Sequence, residues 1–318
     1  MVLSRIDHRL FLYMPLMLLA LLKAQISSIR ISSIRISNIR INSIQISSIQ
    51  MSQRIEPAPP AGPNLRKYAS NINPSAANID IGDSPMAATV IEDPALRNRL
   101  GVFRDRDEAG ALLARSLESL RGRDAIVLAI PSGGIPIGLA VAAHLNLPFD
   151  LLIIRKLPIP GNPEAGFGAI SLEGDVVLNR PMVRMLGLSD VQIEKQAESV
   201  REELKIRDRL FRGRRPPAEL RGRTLILTDD GLASGYTMMA AIRQARREGP
   251  AEIVVAVPTA SLHTIDLLAG EVDRIVCLNI RTGSYFAVAE AYRDWYDLSR
   301  DEVVALLRES GFLADDLR

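Results

Sequence analysis

From residue 94 onward, apolar runs alternate with amphipathic stretches. AIVLAIP (125–131), FDLLIIRKL (149–157), TLILTD (224–229), EIVVAVPTA (252–260) and RIVCLNI (274–280) are short and nearly continuous in apolar residues. Runs of this kind, bounded by turn residues, predict strands buried on both faces. Between them lie stretches with apolar residues at helical spacing. RDEAGALLARSLESL (106–120), SGGIPIGLAVAAHL (132–145), SDVQIEKQAESVREELKIRDRLFR (189–212), YTMMAAIRQARREG (236–249) and LHTIDLLAGEV (262–272) read as helices, and DEVVALLRESG (301–311) closes the chain as another. Residues 157–181 are a Pro/Gly-rich excursion with a candidate hairpin, FGAIS against DVVLN. Buried strands separated by helices predict an α/β fold, a mainly parallel sheet with helices on both faces. In such sheets ligands sit beyond the carboxyl ends of the strands, where both glycine turns fall.

The first 93 residues break this pattern and are expected to be a separate low-complexity extension and linker, ahead of a domain spanning 94–318. Residues 26–51 repeat ISSIR-like pentads. A pentad turns a helix by about 140° per repeat and alternates sides on a strand, so neither regular structure gains an apolar face. A pentapeptide solenoid would want small residues where isoleucine stands. The plain reading is a translated repeat ahead of a start at Met51 or Met86. LFLYMPLMLLALL (10–22) is short for a bilayer span. It resembles a signal-peptide core, with Lys23 crowding the cleavage region, so an export signal is the alternative to a cytoplasmic location. Residues 55–85, rich in Pro, Asn, Ser and Ala, read as linker or disorder.

Composition narrows the chemistry. The 318 residues are 47% hydrophobic with a formal net charge of +2, too mild to argue for nucleic acid. A single cysteine, Cys277 in RIVCLNI, excludes an internal disulfide and reads as a buried thiol. Three scattered histidines argue against a His-based metal site or a Ser-His-Asp triad.

The segment TLILTDDGLASGYT combines opposites. Asp229 and Asp230 end a strand, and Ala233, Ser234, Gly235, Tyr236 and Thr237 open a helix. Free amides and the helix dipole suit that turn to an anion, Gly235 permits close approach, and Ser234 and Thr237 add hydroxyl donors. Two carboxylates suit a diol. A ribose 5-phosphate carries both ends. The plain alternative, an Asp-Gly turn capping a helix, leaves the paired acids and the Ser-Gly-Tyr-Thr run unexplained.

LILTDDGLASGYT resembles the phosphoribosyl-pyrophosphate (PRPP) motif of type I phosphoribosyltransferases, departing at Thr228 and Gly231, where aliphatic residues are usual. FRDRDEAG, LAIPSGGIPIG, DLLIIRKL, GNPE, FGAI and DEVVALL extend the resemblance over residues 98–312, to a subgroup of uncharacterised bacterial and archaeal members. The resemblance implies transfer of a phosphoribosyl group to a nitrogen acceptor, nucleobase-like and unidentified, with release of pyrophosphate. It implies Asp229 and Asp230 on the ribose diol, as stabilisers of the ring cation or as base. It implies Mg²⁺ carried mainly by PRPP, with Asp229 or Asp230 the carboxylates within reach. It implies a pyrophosphate loop at Ser132, Gly133 and Gly134, although relatives often carry Arg at the position of Ser132. Arg155 and Lys156, ending a strand of the same sheet, would neutralise pyrophosphate; a solvated strand end is the alternative. LPIPGNPEAGFG (157–168) matches the place of a mobile loop. Expected partners are PRPP and a small-molecule acceptor, with no nucleic acid and no membrane, and a homodimer left open. Two other readings share the motif: a PRPP-sensing regulator, and a hydrolase of PRPP or another sugar phosphate. The basic run RLFRGRRPP (209–217) reads as a solvated helix end, and Tyr285, Phe286, Tyr292, Trp295 and Tyr296 as packing for the final helix.

Overall fold

The computed structural model describes residues 88–283 and 285–314. The pentad repeat, the apolar segment at 10–22 and the linker lie outside them. In chain order the elements are β1 (Thr89–Ile91), α1 (Arg106–Ser116), β2 (Ala125–Ala129), α2 (Gly134–Leu145), β3 (Phe149–Leu151), β4 (Ile154–Ile159), β5 (Asn162–Ser171) and β6 (Val176–Leu178). They continue with α3 (Arg180–Met185), α4 (Asp190–Arg212), β7 (Thr224–Thr228), α5 (Tyr236–Arg247), β8 (Glu252–Ser261), α6 (Leu262–Leu268), β9 (Arg274–Arg281) and α7 (Arg300–Glu309).

Six strands form a sheet in the order β1-β9-β8-β7-β2-β3, and every pairing is parallel. Strand β7 shows why these runs are apolar throughout. Leu225 and Leu227 pack on one face with Met238, Ile242 and Ala245 of α5 and Ile265 of α6, while Ile226 packs on the other with Leu113 of α1 and Val141 of α2. Successive side chains alternate sides, and both sides are covered by helices, so the strand interior is apolar and only its two ends carry a polar group, on Thr224 and Thr228. Buried Cys277 belongs to the first of these faces.

Two boundaries differ from the sequence reading. β1 precedes Pro94 and pairs with β9 at the sheet edge. Its three residues are all exposed, which hides it from any periodicity argument. FDLLIIRKL is two strands rather than one. β3 stays in the parallel sheet, whereas β4 opens a separate antiparallel sheet, β4-β5-β6. Arg155 and Lys156 therefore sit on β4, in the second sheet rather than at the end of a main-sheet strand. The segment read as a Pro/Gly loop is the β4–β5 hairpin, with register shifts around Pro158 where the missing N–H interrupts the ladder. Hydrophobic runs cannot report the break at Leu152–Ile153, because both residues are buried on either side of it.

The run 209–217 is exposed at Arg209, Leu210 and 213–217, as a solvated helix end should be, but not at Phe211 and Arg212. Arg212, at the end of α4, is buried. Its Nη1 donates to Asp150 Oδ1, its Nη2 to the Leu151 carbonyl at 2.8 Å and its Nε to Asp208 at 2.9 Å. Asp150 also accepts from the Ala218 amide at 2.7 Å. The cluster closes the linker after α4 onto β3. Among the described residues no helix is long and apolar enough to cross a membrane.

Candidate active site

β2 and β7 are adjacent and in register, Ala129 opposite Thr228. The chain leaves β2 through α2 toward β3 and leaves β7 through α5 toward β8, on opposite sides. This is a topological switch point, where the loops diverge and a crevice opens at the carboxyl edge. The turns 130–134 and 229–235 line it.

The two turns touch. A Cβ added at Gly133 would lie 1.9 Å from Asp230 Oδ2, and one at Gly134 would lie 2.7 Å from the Thr228 carbonyl oxygen. Only residues without a Cβ let the first turn lie against the acid pair. The Ile130 amide donates to the Thr228 carbonyl at 3.0 Å and holds the turns side by side.

Five of the described α-helices carry a side-chain cap, from Asp105, Asn179, Ser189, Ser261 and Ser299. The two that begin in the crevice, α2 at Gly133 and α5 at Gly235, carry none. The positive ends of both helix dipoles point to this edge, but at α2 the Gly134 amide donates to the Ile130 carbonyl at 3.1 Å and the Ile135 amide to the Ser132 carbonyl at 3.2 Å. Gly235 has φ of 77°, where a side chain is strained, and a Cβ there would lie 2.7 Å from Thr264 Cγ2. Thr264, whose amide is held by Ser261, also donates its hydroxyl to the Ala233 carbonyl, fixing the 233–235 turn from behind. Ala233 and Ser234 are exposed, Gly235 is buried and Tyr236 and Thr237 are part-buried in this turn.

The acid pair is asymmetric. Asp229 Oδ1 accepts the Asp230 amide at 2.9 Å. Asp230 Oδ2 accepts Arg106 Nε at 2.9 Å, with the two side chains 14% and 8% exposed. Burial, then the neighbouring Asp230 charge, hold the Asp229 carboxyl well above its ordinary range. Burial raises Asp230 as well, but Arg106 opposes it.

Sequence reasoning missed Arg106. Its signal was present: a cation in the first turn of a helix works against the dipole, so an arginine there calls for another partner. Its Nη1 donates to the Tyr296 carbonyl at 2.9 Å, and its guanidinium lies 4.0 Å from the Trp295 ring centroid. The Tyr292 hydroxyl donates to the Asp230 carbonyl at 2.5 Å. Tyr292 and Trp295 thus pack with Phe103 around Arg106, in a different cluster from Val303, Val304 and Leu307 of the final helix.

Arg155 pairs with Glu203 of α4 at 2.8 Å. Lys156 lies beside it on the same hairpin. Neither is brought to the switch point by the main sheet. Among the described residues no group of three or more His, Cys, Asp or Glu could hold a metal ion. A cation held mostly by the oxygens of a bound phosphate compound fits a crevice that offers only this acid pair.

The geometry agrees with comparisons to known proteins. Two curated Mycobacterium tuberculosis proteins, from different strains and named only provisionally as phosphoribosyl transferases, are 39% identical over 206 residues. The match takes in 65% of this chain and 46% of each relative, so the chain spans about half the length of the curated relatives it matches. A crystal structure of a Thermus thermophilus protein superposes with a TM-score of 0.54 at 36% identity, covering 65% of this chain and 98% of that one. The family model described as "Phosphoribosyl transferase domain" matches residues 106–295, from the buried arginine to the tryptophan that covers it, and the chain belongs to that family.

Proposed function

We propose that the protein transfers the phosphoribosyl group of PRPP to a nitrogen acceptor with release of pyrophosphate. The observation that carries this is the contact between the two turns: the Asp230 carboxylate lies where a Cβ of Gly133 would be. One crevice thereby offers paired carboxylates between two uncapped helix starts. PRPP has the matching order of groups, with a diol between a 5-phosphate and a 1-pyrophosphate.

In this reading the amides of Ala233–Thr237, with the Ser234 and Thr237 hydroxyls, hold the 5-phosphate at the start of α5. The amides of Ser132 and Gly133 hold pyrophosphate at the start of α2, with Gly134, whose amide is given to the Ile130 carbonyl, letting the turn close against β7. Asp229 and Asp230 each have one oxygen engaged by the protein, so the other two can each accept a ribose hydroxyl. Arg155, paired with Glu203 at 2.8 Å, and Lys156 add positive charge from the hairpin that attracts the polyanion. The acceptor nitrogen bonds to C1 of the ribose as the C1–oxygen bond breaks. Pyrophosphate leaves with the electron pair, and the acceptor loses its proton to a base, for which Asp229 or Asp230 is available. Positive charge develops on the ring in the transition state, as in glycoside cleavage. A carboxylate already fixed beside the diol stabilises it without reorganising, an effect worth on the order of 10²–10³ in rate for a well-placed group. Mg²⁺, when bound through PRPP and one of these acids, supplies neutralising charge for the leaving group.

Incubating the full chain with PRPP, Mg²⁺ and a panel of nitrogen heterocycles, and following pyrophosphate, tests the reading. Release that depends on one acceptor is expected. Release without any acceptor would replace transfer by hydrolysis, and saturable PRPP binding with no release would make the protein a sensor. The double variant Asp229→Asn, Asp230→Asn should lose both binding and turnover.

A further inference from the structure

Arg106 has no part in the reaction as described, yet the protein buries it against the acid pair. Burying a guanidinium is costly, and placing it at the positive end of α1 adds to the cost. Three contacts offset this and fix its plane: Nε to Asp230 Oδ2, Nη1 to the Tyr296 carbonyl and the face against Trp295. The 292–296 segment also holds the Asp230 backbone, through the Tyr292 hydroxyl. Asp230 is thus gripped at its carbonyl and at one carboxylate oxygen by a single connected unit, while Gly133 closes the third side.

We propose that Arg106 is a positioning residue for the sugar site, turning one oxygen of Asp230 inward to the guanidinium so that the other is presented to a ribose hydroxyl. This rests on the PRPP reading. A planar fork is required because one group must reach both Asp230 and the Tyr296 carbonyl; the ammonium of a lysine is a point donor without that geometry. The arrangement makes the 292–296 segment a support of the sugar site through its hold on Arg106 and Asp230.

The test is PRPP affinity, by calorimetry on the full chain with Mg²⁺, for the wild type, Arg106→Met, Asp230→Asn and the double variant. Arg106→Met should weaken PRPP by about tenfold or more, as expected when a charge-assisted contact that orients a ligand group is lost. The double variant should bind no more weakly than Asp230→Asn alone, because the arginine acts through that carboxylate. A residue that only supports the fold would give losses that add. If Arg106→Met does not fold, Arg106→Lys carries the test and should fold but bind PRPP more weakly than the wild type. In the protein without PRPP, the Arg106 Nε–H nuclear magnetic resonance signal should be protected from exchange and lose that protection in Asp230→Asn. Unchanged PRPP affinity in the Arg106 variants, additive losses, or an unprotected Nε–H would each overturn the positioning role alone. A wild type that does not bind PRPP would overturn the functional reading and this role with it.

Discussion

Replacing Gly133 by alanine adds one methyl group and tests the core of the site geometry. That methyl would lie 1.9 Å from Asp230 Oδ2 and 2.3 Å from Asp230 Cγ, whereas real Cβ contacts essentially never fall under 3.0 Å. A free surface carboxylate would swing aside at little cost. This one cannot, because the same oxygen accepts Arg106 Nε at 2.9 Å in a pair whose side chains are only 14% and 8% exposed. Two responses remain. The carboxylate moves and leaves a buried guanidinium unpaired, at about 3–5 kcal/mol. Alternatively the 132–134 turn retreats, at the ~1–3 kcal/mol typical of overpacking. For a domain of this size each kcal/mol lowers the melting temperature by roughly 2–4 °C, so the cheaper response gives a fall of roughly 2–12 °C. Either response also separates the acid pair from the amides of the neighbouring turn, so PRPP affinity should drop by about tenfold to a hundredfold. Gly270→Ala is the matched control, exposed and with no heavy atom within 4 Å of the added Cβ. Differential scanning fluorimetry and calorimetric titration read both effects. A Gly133→Ala protein with the melting temperature and PRPP affinity of the control would refute the contact between the two turns, and with it the argument for function.

Asp229→Asn should raise stability at neutral pH while abolishing PRPP binding. The folded protein holds the Asp229 proton more tightly than the unfolded chain does, so Asp229 detracts from stability as pH rises above the ordinary value of 3.8; a thermal melt series should show the variant's advantage growing through that window and absent below it. Arg212→Met leaves Asp150 buried without its charged partner and should cost about 3–5 kcal/mol in urea unfolding, with PRPP affinity per folded molecule unchanged. Cys277 is fully buried, and burial pushes its thiol up to about 12, so a thiol reagent should leave the native protein unmodified and react only on unfolding.

What could be read in the sequence follows from which interactions are local. The five runs of the parallel sheet stand out because each strand is covered on both faces, and that alone forces continuous apolar sequence. The acid pair and the 233–237 cup were legible because they adjoin in the chain and their chemistries pull in opposite directions. Ser132–Gly134 could be named but not joined to them. Nothing in SGG states that Gly133 must lie against a carboxylate far along the chain, a consequence of β2 pairing with β7. The same limit hid the break after β3. Leu152 and Ile153 look alike to a hydropathy pattern whether the chain continues in one sheet or crosses to another, so Arg155 and Lys156 read as part of the main sheet although they belong to the second. Arg106 is the most instructive miss, because it lies inside a motif whose resemblance was already recognised. Composition treats a charged residue at a helix start as solvated surface. Only a folded chain brings residues 106, 230 and 296 together, and then the arginine's unfavourable place on its own helix becomes evidence of a partner on another element. Residues that disobey a local rule and are buried nonetheless are where a long-range constraint has prevailed, and in this crevice that constraint falls on the carboxylate we assign to the sugar.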